Sequence, residues 1–391
     1  MSDPLAPAVS APLQSRWLRG LAPLVLLGVL VAVFLRFGPV GVLRQGFPPV
    51  EELTVERITL PHPGEMRVRV VNGGPEPVTI AQVFVDDASW NHTLDGDRTI
   101  GRLDSRDIII PYPWVHGEPV TVRVVTSTGV TFAATLDVAT QTPKPDAQYL
   151  GTFALLGIYV GVIPVFLGLL WLPFLRAIHR KWLDFFLCLT VGLLVFLGVD
   201  ALAEALATAT RVPSAFQGLG LVLIGALGTP LLLNVLSHRH GNAVSGMRLS
   251  GLIALAIGLH NFGEGLAVGA AYASGAIALG AFLVLGFLLH NTTEGLGIVA
   301  PLAREKPRLS QLLLLGLLAG APTIAGAWIG GFSYSPLWTT FFFAIGVGAI
   351  AQVAFLLGRR YFTASGLTPL NAAGLVLGLA IMYVTGLLVT A

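Results

Sequence analysis

Two polar hexapeptides, set in otherwise apolar sequence, are the residues of this 391-residue chain whose types and spacing best suit chemistry. The first reads His260-Asn261-Phe262-Gly263-Glu264-Gly265, and the second His290-Asn291-Thr292-Thr293-Glu294-Gly295. In a helix, a His and a Glu four residues apart stack on one face with the Asn beside them, so each copy is a patch of nitrogen and oxygen donors. Each copy also lies in a run long enough to cross a bilayer, where a charged side chain near the centre costs at least ~2.5 kcal/mol and is retained for function. The small residues Ala273-Ser274-Gly275-Ala276 read as a tight turn between antiparallel helices. Both patches lie about 15 residues from that turn, roughly 22 Å at 1.5 Å per residue, and therefore at one depth. Facing each other, they offer two imidazoles, two carboxylates and two amides to one point. That donor set suits a divalent transition-metal cation such as Zn²⁺, Fe²⁺ or Mn²⁺, because no thiolate is present to select a softer ion. Gluing two helices together needs one hydrogen-bonded pair, not a repeated triad at matched depth.

The elements that must position these residues follow from composition. With 54% hydrophobic and 11% charged residues, against about 25% charged in a soluble domain, the chain is an integral membrane protein and the lipid bilayer is its first partner. A net charge of +2 gives no reason to expect a nucleic-acid partner. The single cysteine, Cys188, excludes an intrachain disulfide and a thiolate metal site, and reads as a small buried hydrophobe.

Residues 1–16 are polar and Pro-containing, and read as a disordered cytoplasmic tail. The apolar run 17–37 follows Arg16 and could be a cleavable signal peptide. No small-x-small cleavage site follows Phe37, so an uncleaved signal-anchor helix is the preferred reading. Between about 45 and 145 the pattern changes to alternating β-branched segments, Leu53–Leu60, Met66–Val71, Val78–Val85, Asp107–Ile110, Val120–Thr126 and Val130–Val138, separated by turn signals. This predicts a small antiparallel β-sandwich of immunoglobulin-like form, whose partner the sequence does not name. Its stretch from Asp86 to Asp97 gathers acidic residues and His92, either as a solvated loop or as a cation-capturing one. Thr142-Pro143-Lys144-Pro145 reads as a short stiff linker.

Eight apolar segments follow within 148–391, at about 148–172, 183–208, 214–236, 248–272, 277–301, 309–331, 336–357 and 368–390. Arg176, Arg180, Lys181, Arg239, Arg248, Arg304, Lys306, Arg308, Arg359 and Arg360 all fall in connections on one side, and Arg211 alone in those on the other. That asymmetry predicts a cytoplasmic basic side, with the sandwich and the C-terminus outside a cell membrane.

The paired motif resembles helices four and five of the ZIP family of metal transporters, which carry His-Asn-x-Pro-Glu-Gly and then His-(Asn, Asp or Glu)-x-Pro-Glu-Gly. Order, spacing and the following Gly265-Leu266-Ala267-Val268-Gly269 agree, whereas the motif prolines are replaced by Gly263 and Thr293. The resemblance covers about 150–391. It implies a membrane all-α protein: an eight-helix ZIP-like bundle with inverted pseudosymmetry, preceded here by one signal-anchor helix and the extracytoplasmic sandwich. It also implies uptake of a divalent metal into the cytoplasm through His260, Asn261, Glu264, His290, Asn291 and Glu294. The metal is the transported substrate, and no prosthetic group is expected. A homodimer is open by the same resemblance. Where the family often has Glu before a proline on the sixth core helix, this chain has Ala321-Pro322, which favours one metal position, or a weaker second one through the asparagines.

Asp200 and Glu204 form another i, i+4 carboxylate pair, in a segment that resembles the family's second helix. They read either as an electrostatic entrance for the cation or as a pair wetted at the interface. His238 and His240, in a basic loop, could assist cytoplasmic release. Two other classes compete with transport: a membrane metalloenzyme, since a His/Glu metal site can activate water, and an anchored sensor or interaction protein. The zincin word His-Glu-x-x-His is absent, and His-x-x-x-Glu differs from the Glu-x-x-His of di-iron bundles, so no enzyme is expected.

Overall fold

A computed structural model describes residues 13–37, 50–238, 245–273, 277–333, 335–359, 361 and 367–387. Helix α1 runs Leu13–Phe37, four residues earlier than the apolar boundary suggested, and belongs to a first unit that ends at Val50. Residues 51–391 form the second unit, which contains both the β-region and the helical bundle.

The β-region has nine strands among the described residues: β1 Leu53–His62, β2 Glu65–Asn72, β3 Val78–Val85, β4 Ala88–Trp90, β5 Thr93–Leu94, β6 Thr99–Ile100, β7 Ser105–Ile110, β8 Val120–Thr126 and β9 Thr131–Leu136. They pair antiparallel in two sheets, β1-β2-β7-β5 and β4-β3-β8-β9, with β6 also on β3. Alternation does the work of folding: along β8 every second residue from Val120 to Thr126 is buried, and Val68, Val70, Ile80, Val83, Ile108, Val122 and Val124 meet between the sheets.

The stretch Asp86–Asp97 is more structured than a solvated loop, since it holds β4 and β5. Three of its four carboxylates have backbone or side-chain partners. Asp86 accepts from Tyr112 Oη at 2.7 Å and Thr121 N at 2.9 Å, Asp95 accepts from Asp107 N at 3.0 Å, and Asp87 pairs with Arg123. Partial burial and the Asp86 hydrogen bond push the Tyr112 phenol up to about 12. The expected linker is likewise held rather than free, because Thr142 exchanges hydrogen bonds with Leu60 of β1, at 2.7 and 2.9 Å.

Among the described residues, seven helices are long and apolar enough to cross a membrane. They are α2 Ala147–Ala177, α3 Arg180–Ala209, α4 Gly218–His238, α5 Gly246–Ala273, α7 Leu309–Phe332, α8 Pro336–Gly358 and α9 Pro369–Leu387. Between α5 and α7 lies a 23-residue helix, α6, Ile277–Val299, which carries the second motif. Residues 274–276, read as the turn between the motif helices, lie outside the described residues.

Local chemistry sets the helix ends. The Asp146 carboxylate caps α2 through Tyr149 N at 2.9 Å, prolines open α8 and α9, and Glu305 receives the first N–H groups of α5 from Gly246 and Met247 at 2.6 and 3.1 Å. Two helices are interrupted. In α2 a π turn at Ile158–Val162 precedes Pro164, and α7 breaks between Gly320 and Pro322.

Glycine permits the close approach that the site requires. A Cβ on Gly168 of α2 would lie 2.6 Å from Gly295 Cα on α6, and one on Gly295 2.7 Å from Gly168 Cα, so these helices meet backbone to backbone.

The sandwich rests on the bundle end where α3 gives way to α4 and α7 to α8. Ser335 Oγ donates to Glu56 Oε1 at 3.0 Å, Arg57 Nη1 to Phe332 O at 3.5 Å, and Ser214 N to Glu52 Oε1 at 3.0 Å. By alternation of the helices, the basic connections after α2 and before α7 lie at the opposite end.

Candidate metal centre

Helices α5 and α6 bring both triads into the bundle interior. Asn261 and Asn291 are fully buried, and His260, Glu264, His290 and Glu294 are each at most 4% exposed. The imidazoles of His260 and His290 stack across the helix interface, with centroids 5.8 Å apart and planes 10° from parallel. Glu264 Oε1 sits between them, 3.5 Å from His260 Nε2 and 3.1 Å from His290 Nε2, while Glu294 Oε1 lies 3.5 Å from His290 Nε2.

The donor atoms of His260, His290 and Glu294 all lie within 4.8 Å of one another, the spacing of ligands around one ion. This is the one group of three or more such residues with that spacing among the described residues. It joins the two halves of the repeat, as the matched depth of the motifs predicts.

The asparagines are turned in a definite sense. Asn261 donates its amide N–H to Ala319 O of α7 at 3.2 Å. Asn291 donates to Val160 O of α2 at 3.0 Å and to Glu264 Oε2 at 2.9 Å. With the nitrogens so engaged, the amide oxygens are left as the free atoms: Asn261 Oδ1 and Asn291 Oδ1 are buried without a hydrogen-bond partner. His260 Nδ1 and Nε2, His290 Nε2, Glu264 Oε1 and both Glu294 oxygens share that condition. Buried polar atoms of a native protein are nearly always satisfied, and a concentration of nitrogen and oxygen lone pairs around one point is what a cation satisfies. The donors present therefore fit a divalent cation of intermediate hardness.

Gly263 and Thr293, where the motif prolines are missing, have local reasons. A Cβ at Gly263 would run into the Phe343 ring of α8, so no side chain fits there. Thr293 Oγ1 donates back to His290 O at 2.7 Å, occupying a carbonyl in the turn that holds the second triad.

A cavity of about 720 Å³ connects this centre to the sandwich end, lined by His260, Glu264, Phe343, Asp200, Glu204 and Arg211 together with residues of β1. Asp200 and Glu204 are exposed toward it, so the carboxylate pair and the buried centre share one space. Arg211 of the α3–α4 connection, and Glu56 and Arg57 of β1, are cavity residues that sequence reasoning did not connect with the site. Nothing in a strand pattern reveals which membrane helix the strand will cover. His238 ends α4, and His240 lies outside the described residues. The Val160 contact did have a signal: Pro164, four residues later, has no N–H to give that carbonyl.

No protein-family model matches the chain, and no curated protein does.

A multi-pass helical bundle with a buried His/Glu group that could bind metal, reached through a cavity, is compatible with a membrane metal transporter.

Proposed function

We infer that the protein transports a divalent transition-metal cation across a cell membrane into the cytoplasm, in the manner of the ZIP family that its paired motif resembles. The observation that carries this reading is the convergence of two buried His/Asn/Glu triads, with lone pairs unmatched by hydrogen bonds, at the foot of a cavity open toward carboxylates. In this reading α2 to α9 are eight spans, the sandwich lies outside, and α1 anchors the N-terminus. The resemblance extends to a homodimer.

The chemistry needed is transfer between ligand sets, not bond making. A hydrated cation enters among Asp200 and Glu204, whose charge raises its local concentration. It exchanges water for His260, Glu264, His290 and Glu294, with Asn261 and Asn291 contributing amide oxygens. Neutral imidazoles and carboxylates bind firmly enough to strip water and exchange readily enough to release, unlike a closed thiolate site. Release toward the basic side, where His238 and His240 lie in the sequence, completes the path.

The test is metal flux into proteoliposomes containing purified protein. Loss of flux with the triads substituted, and no chemical turnover by the intact protein, is expected. Absence of flux by protein that retains metal, or a turnover that depends on the triads, would overturn the reading.

A further inference from the structure

The asparagines of the two triads are held by the two interrupted helices, one each. Val160 lies within the π turn of α2, where Ile163 N reaches back to Ile158 O and Pro164 offers no N–H. In an unbroken helix residue 164 would serve the Val160 carbonyl; here Asn291 serves it at 3.0 Å. Ala319 stands in the last turn before the break at Pro322, where helical carbonyls lack intrahelical partners, and Asn261 serves it at 3.2 Å.

The two breaks also lie against each other. A Cβ on Gly161 would come within 2.6 Å of Gly320 O, and one on Gly320 within 2.8 Å of Gly161 O. The carbonyls that receive the two amides therefore come from a single crossing of α2 and α7.

We propose that Pro164 is a positioning residue for the metal centre: by withholding a helical N–H from the Val160 carbonyl it leaves that carbonyl to Asn291, and with Glu264 Oε2 taking the other N–H of the amide, the Asn291 oxygen is turned to the ion. The inference rests on the metal-site reading. An amide has one donor end and one acceptor end, so a carbonyl that captures the donor end fixes the acceptor as the inward atom. Without the free carbonyl the nitrogen end of Asn291 keeps only Glu264 Oε2, at 2.9 Å, and the amide loses one of its two anchors.

Purified full-length protein titrated with Co²⁺ gives the test, because d–d absorption reports affinity and coordination together. Asn291→Ala removes a ligand and should weaken Co²⁺ binding by about 10–100-fold. Pro164→Ala restores the helical N–H without touching the ion; it should weaken binding in the same direction and produce the same band shift. The double variant should bind no more weakly than the weaker single variant.

A wild-type spectrum and affinity in Pro164→Ala, or effects that multiply in the double variant, would overturn the proposal while leaving the metal site intact. Failure of the unaltered protein to bind Co²⁺ would instead remove the site itself, and the proposal with it. Should Pro164→Ala not fold, Pro164→Ser, which restores the same N–H, decides by the same criteria.

Discussion

His290 Nε2 stands closer to Glu264 of the neighbouring helix, at 3.1 Å, than to Glu294 one turn along its own, at 3.5 Å. The centre is therefore knit across the helix pair rather than assembled from two independent i, i+4 patches. Glu264 Oε2 is already taken by Asn291, which leaves Oε1 as its unpaired oxygen, whereas both oxygens of Glu294 remain free of hydrogen bonds.

The two glutamates should accordingly be indispensable together. Replacing either by Ala removes a buried carboxylate that faces imidazoles, and uptake should fall to background while folded protein stays in the membrane. Radiolabelled metal uptake, with protein quantified in isolated membranes, checks this. Ordinary uptake by the Glu264→Ala, Glu294→Ala double variant would take both residues out of the site.

Binding should compete with protons. Ligation needs neutral imidazole and ionised carboxylate, so lowering the pH favours the protonated, non-ligating forms and weakens affinity, and adding metal must release protons. Titration of purified protein with Zn²⁺ in weakly buffered solution should show acidification. An affinity that is constant from mildly alkaline to mildly acidic conditions would show that these side chains are not the ligands.

The carboxylates of the cavity should act on arrival, not on retention. Asp200→Asn with Glu204→Gln should slow uptake at low metal concentration and make it less sensitive to ionic strength, while the affinity of the buried centre stays nearly unchanged. Equal losses in uptake and in bound metal would place the pair among the ligands instead.

Orientation can be read with an impermeant thiol reagent on whole cells, since the native Cys188 is buried. A cysteine introduced by Ser89→Cys, in strand β4, should label, and one introduced by Ser237→Cys, near the end of α4, should not. The reverse pattern would turn the same machinery into an exporter.

From sequence alone, the period of the chain's polarity already determined the membrane class, the six alternating segments that became the long strands, and the two triads. Those features depend on spacing within one element: four residues between His260 and Glu264 is one helical turn wherever the helix goes. Spacing could not say which way an amide turns. Asn261 and Asn291 looked like weak ligands, and only the approach of α7 and α2 showed their nitrogens bound to Ala319 and Val160 and their oxygens buried without a hydrogen-bond partner. Nor could it show that β1 covers the cavity, or that Asp86, Asp87 and Asp95 would spend their carboxylates on neighbouring strands. These outcomes depend on contacts between residues far apart in the chain, 131 positions for Asn291 and Val160 and 279 for Ser335 and Glu56, and such pairings are fixed by the packing of whole helices and sheets rather than by any local pattern.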